Sequence, residues 1–212
     1  MKKTVLLFAL SSLLLTACPK HEVIPAPDIK VALSASFLGT INGSQVELTQ
    51  NVDSYALSST NVKTIFPSPT PSKVIYSAEM KSSQQLLSLK INLGSLLYDA
   101  STGGTPALAA FNSFFNNNLT PTYKTAGDGG FEVVYRDGNG NVWTSDQASV
   151  SPQSVTFTDI VQESDSKGDY SKFTCNFSCE VYRTYEYPAG SSLFVTDTLV
   201  IQNAVLKGWF KR

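Results

Sequence analysis

A long stretch near the end of the chain alternates strictly between apolar and polar side chains. Its apolar members are Phe173, Cys175, Phe177, Cys179 and Val181, and every residue between them is polar or charged. Because successive side chains of a β-strand point to opposite faces, this pattern predicts a strand with one buried face and one wet face. A slip of one residue would expose the whole apolar set, so we expect a well-specified register in the middle of a sheet.

The rest of the chain from residue 30 onward has a similar β character. Short apolar runs, rich in Ser, Thr, Val and aromatic residues, are bounded by Gly, Asn, Asp and Pro. These runs predict five strand pairs: 31–41 with 45–49, 73–81 with 86–93, 131–136 with 141–144, 154–163 with 170–187, and 194–202 with 205–210. We therefore expect an all-β fold, an antiparallel β-sandwich-like domain, with a closed β-barrel as the alternative.

One short helix is predicted to cover this sheet. Thr105 is the expected N-cap, and Pro106 the expected first helical residue. Leu108, Phe111 and Phe115 follow at spacings of three and four, which places them on one apolar face of a helix.

The N-terminus has the pattern of a secretory signal peptide. Lys2 and Lys3 precede an apolar run over 5–15 that is too short to span a bilayer. The segment Leu15-Thr16-Ala17-Cys18 resembles the lipobox of bacterial lipoproteins, in which the chain is cut between Ala17 and Cys18. The resemblance implies that acyl chains on Cys18 hold the mature protein on a lipid bilayer.

These features predict the organisation of the chain. Residues 1–17 are expected to be a cleaved signal peptide. Residues 18–29 hold the lipidated cysteine and three prolines, a composition typical of an extended tether. Residues 30–212 are expected to form a single β-rich domain.

Charge and histidine content exclude several function classes. The net charge of −1 provides no basic surface for nucleic acid. The single histidine, His21, lies in the predicted tether, so the folded body lacks the commonest general base and metal ligand. We expect no enzymatic activity and no cofactor. A hydrolase that uses two carboxylates is the least favoured function, because no pair of acidic residues stands out.

The two cysteines of the body, Cys175 and Cys179, are predicted to be core thiols. Four residues apart in a strand, they would lie about 13 Å from each other. A disulfide requires Cα atoms within about 7 Å. A disulfide would therefore need a break in the strand, and buried free thiols are the favoured interpretation.

Asp137, Asn139 and Asn141 resemble the start of a calcium-binding loop, with oxygen-bearing side chains at alternate positions. A complete loop of this kind needs a glycine and a glutamate further on, where this chain has Val142 and Ala148. A hairpin turn explains the same residues, and we favour it over an ion site. No metal is therefore expected.

Tyr182, Arg183, Tyr185 and Tyr187 crowd the end of the long predicted strand and are the candidate ligand-contact residues. Tyrosine offers a large contact area with a polar end, which suits a glycan or a protein ligand. The alternative is that a second sheet packs on these rings. Exposed rings would favour a binding function, and buried rings would favour a structural one.

Three further motifs extend the resemblance beyond the lipobox. They are Gly39-Thr40-Ile41-Asn42-Gly43, the segment Gly140-Asn141-Val142-Trp143 and the ending Lys207-Gly208-Trp209-Phe210. Together they resemble small uncharacterised lipoproteins of Bacteroidota, which implies export and anchoring to the outer membrane on either its surface or its periplasmic face. We expect a binding or interaction module of the cell envelope with a glycan or protein ligand; a purely structural component is the alternative.

Overall fold

The computed structural model describes residues 30–101, 103–124, 129–145, 149 and 152–212. The predicted signal peptide and tether, with Ala17 and Cys18, therefore lie outside the described residues. The described strands are β1 Ser36–Ile41, β2 Ser44–Thr49, β3 Tyr55–Thr64, β4 Ser72–Ser82, β5 Ser88–Tyr98, β6 Gly130–Arg136, β7 Val142–Ser145, β8 Ser154–Asp165, β9 Gly168–Glu186 and β10 Phe194–Lys211. One helix, α1, spans Leu108–Asn117.

These strands form one curled antiparallel sheet, which confirms the all-β prediction. Nine strands follow the order β2-β1-β10-β9-β7-β6-β5-β4-β3, and β8 pairs with β9 beside this path. The sheet curls into a half-barrel, an arrangement consistent with a sandwich-like or barrel-like fold. The apolar face of each strand points into the concave side, where the core lies.

The long alternating strand, β9, lies in the middle of the sheet as predicted. One edge of β9 pairs with β10 over almost its whole length, and the other pairs first with β8 and then with β7. The apolar residues from Phe173 to Val181 at alternate positions are at most 3% exposed. Because three strands bond to β9, its register fixes which face of each neighbour is buried.

The curl brings the edge strand β3 against the C-terminal part of β10. The backbone N–H of Lys211 donates to Ser59 Oγ at 2.8 Å, across the gap between the two strands. Gly208 leaves the space that Leu57 occupies, since a Cβ there would lie 2.5 Å from Leu57 Cδ1. A small residue at this point thus lets the edge strand β3 approach β10.

Helix α1 covers an aromatic core at one end of the curled sheet. Phe111 and Phe115 are fully buried, and the Phe115 ring stacks on Phe210 at 4.8 Å. Tyr76 meets both helix rings edge-on, at 5.4 and 5.2 Å. Such edge-to-face and stacked pairs add to the free energy that burial of the rings contributes.

The predicted start of the helix is wrong by two residues. The helix begins at Leu108 after Ala107, and no side chain caps it. The hydroxyl of Thr105 accepts a hydrogen bond from Lys63 Nζ at 2.8 Å, so this side chain is used elsewhere. Leu108 is 40% exposed rather than part of the buried face.

Two strands, β3 and β10, also differ from the sequence prediction. β3 was not predicted, because as an edge strand it buries only Tyr55 and Leu57 and shows little alternation. The segments 194–202 and 205–210 form one strand rather than two. An extra residue near Asn203, whose φ is +51°, makes a β-bulge that lets β10 continue.

Cys175 and Cys179 are free and buried, which confirms the prediction of core thiols. Both point to the concave face of β9. Burial raises the pKa of Cys175 well above its ordinary value and raises that of Cys179 to about 12. Both thiols are therefore protonated at neutral pH and suited to packing rather than to nucleophilic chemistry.

Candidate functional site

The ends of β9 and β10 extend beyond the strands that flank them. Pairing of β7 with β9 reaches Tyr182, and pairing of β1 with β10 stops at Ile201. Residues 183–199 therefore form a two-stranded ribbon that projects from the sheet, and we call it the distal ribbon. Its two strands remain paired up to Glu186 and Phe194.

One face of the distal ribbon continues the buried face of β9. Arg183, Tyr185 and Tyr187 have the same odd-numbered parity as the core residues Phe173 to Val181. Val195 lies opposite Tyr185 across the ribbon, and the backbone N–H of Tyr187 donates to Leu193 O at 2.9 Å. The apolar face of the sheet thus runs outward past the core and into solvent.

Tyr182 lies on the opposite face from the other three candidate residues. Its hydroxyl donates to the carboxylate of Glu180, which has the same even-numbered parity. Phe194 and Thr196 also belong to this second face, where the hydroxyls of Thr184 and Thr196 are 2.9 Å apart. The structure therefore brings together Arg183, Tyr185 and Tyr187 but not Tyr182.

A cation–π cluster holds the base of the exposed face in place. The guanidinium of Arg183 lies 4.6 Å from the ring centre of Tyr185 and 6.0 Å from that of the buried Trp143. A hydrogen bond with Asp197 raises the pKa of Tyr185. Arg183 and Asp197 are also cross-strand neighbours. Charge on this face is thus balanced within the ribbon, and its outer part offers apolar contact.

The tip of the ribbon exposes large apolar side chains. Tyr187 is 65% exposed, Leu193 64% and Phe194 72%, and Val195 beside them is also exposed. Tyrosine and arginine next to exposed apolar residues are typical of binding surfaces on soluble proteins. The sequence analysis did not single out Leu193, Phe194 or Val195. Extending the alternation of β9 through the turn and back along its partner finds Leu193 and Val195, whereas Phe194 lies on the opposite face.

The carboxylate of Asp137 accepts hydrogen bonds from N–H groups of its own hairpin. Its Oδ1 accepts the backbone N–H groups of Asn139 and Asn141, each at 2.9 Å. Its Oδ2 accepts Asn141 Nδ2 at 2.9 Å and Trp143 Nε1 at 3.3 Å. Burial acts to raise the pKa of Asp137, but these hydrogen bonds outweigh it and lower the pKa. A cation here would have to compete with four N–H donors, so the geometry suits a hairpin turn.

Two grooves lie elsewhere on the described part of the chain. A groove of about 460 Å³ beside Tyr123 and Val155 is lined by hydroxyl, amide and apolar groups. A second groove, of about 520 Å³, has Glu180 as its one carboxylate. Within the described residues no three His, Cys, Asp or Glu side chains are grouped so that they could hold a metal ion. Among the described residues that line them, neither groove has two carboxylates for acid–base hydrolysis.

Comparisons of the chain with protein-family models, with curated proteins and with solved structures find no match. Among the described residues, no helix is long and apolar enough to cross a membrane. Within the described residues, the distal ribbon carries the three most exposed large apolar side chains, Tyr187, Leu193 and Phe194.

Proposed function

We propose that the protein is an exported, lipid-anchored binding module of the cell envelope, without catalytic activity, and that it contacts a protein or glycan ligand through the distal ribbon. The lipobox-like segment ending at Cys18 supports the anchor. The resemblance to Bacteroidota lipoproteins supports an outer-membrane location.

The observation that carries the binding function is the exposed apolar face at the tip of the ribbon. Tyr187 and Leu193 are more than half exposed, although they continue the face that is buried in the rest of β9. Leaving such groups in water costs free energy that a ligand would recover on binding. Nothing in the described part of the chain covers them, and a purely structural role gives no reason for their exposure.

The position of the ribbon relative to the tether suits this function. The backbone N–H of Val31 donates to Asp165 Oδ2 at 3.0 Å, so the described chain starts beside the β8–β9 turn. β9 runs from this turn to the ribbon over 19 residues, which corresponds to about 60 Å along the strand. A bilayer that holds Cys18 would therefore lie at one end of the protein, with the ribbon at the other.

The anchor is tested by Cys18→Ala. Without the thiol no acyl chain can be attached, so we expect the variant to move from the membrane fraction to the soluble fraction after cell lysis. Mass spectrometry of the wild-type N-terminus should show acylation at Cys18. A variant that stays with the membranes, in spite of an unacylated N-terminus, would overturn the anchor.

The binding function is tested with the double variant Tyr187→Ser/Leu193→Ser. The purified protein would be assayed against a panel of envelope glycans and, in cells, by photo-cross-linking from position 195, which is also exposed and is unchanged in the double variant. We expect at least a tenfold loss of glycan affinity or of the cross-linked adduct. Val62→Ser is the matched control, since Val62 is 61% exposed on the distant edge strand β3. If the double variant behaves as the control does, the ribbon is not the contact surface and a structural role takes its place.

A further inference from the structure

Exposed apolar side chains also collect at the end of the sheet opposite the distal ribbon. Ile65 is 55% exposed, Phe66 37% and Leu97 60%. Ile65 and Phe66 lead into the exposed, proline-rich loop between β3 and β4, and Leu97 is the last residue but one of β5. We call residues 65–71 together with Leu97 the basal patch.

The parts of the basal patch lie beside one another. Thr64, Lys73 and Leu97 are neighbours across β3, β4 and β5, so their side chains share one face of the sheet. The ammonium of Lys73 lies 5.8 Å from the ring centre of Phe66, which brings this ring to the same face. A groove of about 470 Å³ separates Leu97 from the proline-rich loop, and Asp99 is the one carboxylate among its lining residues. The basal patch is therefore one continuous surface.

The described chain starts at the same end of the sheet. The backbone N–H of Val31 donates to Asp165 in the β8–β9 turn. The C-terminus lies beside this turn, because the backbone N–H of Arg212 donates to Asp169 O at 3.1 Å. The first described residues and the end of β10 are therefore close to each other.

β3 carries the basal patch past the end of β10. The two strands run in the same direction, since Leu57 lies against Gly208 and Ser59 bonds to Lys211 further along. Ile65 follows Ser59 by six residues, which corresponds to about 20 Å along a strand. The basal patch thus projects at the end where the described chain begins.

Charge distinguishes the basal patch from the other exposed apolar side chains. From residue 54 to residue 78 the chain has two basic residues, Lys63 and Lys73, and no acidic one. The distal ribbon, by contrast, has both Glu186 and Asp197. Exposed apolar groups next to lysines suit the boundary of a bilayer, because the apolar groups enter the acyl region while the ammonium groups stay among the phosphates.

The predicted tether would hold this end of the body close to a bilayer. Under the proposed function the mature chain begins at Cys18, and residues 18–29 span at most roughly 40 Å. The tether joins the body at the end that carries the basal patch. A short link of this kind raises the effective concentration of the bilayer at the patch, so a few exposed side chains are enough for contact.

We propose that the basal patch binds the surface of the bilayer that holds Cys18. The inference rests on the proposed function and adds a second contact to its lipid anchor. Ile65, Phe66 and Leu97 enter the boundary between headgroups and acyl chains, and Lys63 and Lys73 lie beside the phosphates. Two contacts fix the orientation of the body, so the distal ribbon is held away from the bilayer.

The experiment couples the mature protein through Cys18 to a maleimide lipid in vesicles of phosphatidylethanolamine and phosphatidylglycerol. Cys175 and Cys179 are buried, so the reagent reaches Cys18 alone. Phe66→Trp or Tyr187→Trp adds a fluorophore at one end of the body, and bromine atoms on the acyl chains quench a tryptophan that touches them. Relative to the wild type, we expect brominated vesicles to reduce the emission added by Phe66→Trp at least twofold and to leave that added by Tyr187→Trp unchanged.

Two double variants in the Phe66→Trp background test whether the basal patch makes the contact. Ile65→Ser/Leu97→Ser should abolish the quenching. Val52→Ser/Leu86→Ser is the matched control, since these side chains are 53% and 54% exposed and precede β3 and β5 at the opposite end. The control should be quenched as strongly as Phe66→Trp alone. All four replaced side chains are more than half exposed, so both variants should fold.

Absence of quenching at position 66, equal quenching at position 187, or quenching that survives Ile65→Ser/Leu97→Ser overturns the bilayer contact. Chemical coupling makes this result independent of acylation in cells. If the expected quenching is found but Cys18→Ala stays with the membranes, only the natural anchor fails. If wild-type Cys18 is acylated in cells but position 66 is not quenched, only the contact through the basal patch fails.

Discussion

At the scale of single residues, Cys175 and Cys179 show how burial decides chemistry. Each lies on the concave face of β9 with almost no exposure. The low polarity around them penalises the thiolate and raises the pKa of both thiols. Export, as proposed, would allow a disulfide to form, but a regular strand holds these residues too far apart for one.

The burial of these thiols predicts that they react only after the protein unfolds. A thiol reagent at pH 8 should leave the folded protein unmodified and label both cysteines after unfolding without a reductant. Because the pKa of Cys179 rises from 9.0 in the unfolded chain to about 12, the free energy of unfolding should fall as pH rises from 9.0 toward about 12. Labelling is followed by mass spectrometry and stability by urea unfolding. A requirement for reductant before labelling would mean that the thiols are paired.

The four candidate contact residues are divided between the two faces of the distal ribbon. Arg183, Tyr185 and Tyr187 share one face of the ribbon, whereas Tyr182 lies on the other. The residue numbers alone predict this division, since odd- and even-numbered residues of a strand point to opposite faces. The exposure of these side chains does not follow from their numbering. Nothing in the sequence shows that the core stops near Val181, because that depends on where the neighbouring strands end.

At the scale of elements, α1 is a covering helix whose stability comes from packing. It has no side-chain cap, no acidic residue in its first turn and no basic residue in its last turn. Phe111 and Phe115 therefore supply most of what holds it in place, through contacts with Tyr76 and Phe210.

Phe115→Ala should lower the free energy of unfolding by about 3–5 kcal/mol, because it removes a fully buried ring from an aromatic cluster. Leu108→Ala is the matched control on the same helix. Leu108 is 40% exposed, so its loss should cost less than about 1 kcal/mol. Urea unfolding followed by the fluorescence of Trp143 and Trp209 measures both changes. Equal losses for the two variants would show that the helix is not docked as described.

The predicted strands agree best with the structure where one face is buried. β4, β6 and β9 bury alternate residues over most of their length and lie close to their predicted bounds. β3 was missed because most of its residues are exposed or partly exposed and carry no pattern. The sequence predicts two strands in place of β10, since the extra residue of the bulge interrupts the alternation without ending the pairing.

At the scale of the whole molecule, the start of the described chain and the distal ribbon lie at opposite ends of β9. Val31 is bonded next to the start of this strand, and Tyr187 follows its end. Under the proposed lipid anchor at Cys18, a body with this shape would present its apolar tip away from the bilayer. The tip is therefore the first part that a partner approaching from outside the bilayer would meet.

Protease treatment of intact cells tests which side of the outer membrane the body occupies. We expect one of two clear results for the proposed anchor. Digestion in intact cells places the body on the surface, and protection until the outer membrane is opened places it in the periplasm. The Cys18→Ala variant is the control, since it should be protected in intact cells or released into the medium. A wild-type protein that is soluble after the outer membrane is opened would contradict the lipid anchor.

Patterns within the sequence predict the β character of the body, the buried face of β9, the free thiols and the odd or even placement of the ribbon residues. These properties depend on the alternation of side chains and on strand geometry, so one segment of the chain is enough to predict them. Only the tertiary structure decided how far the core extends, which edges are paired, and that Gly208 lets β3 close over β10. The exposed face and the open edge of the ribbon arise where β1 and β7 end. Such endings are set by long-range pairing between distant segments, and no local pattern records them.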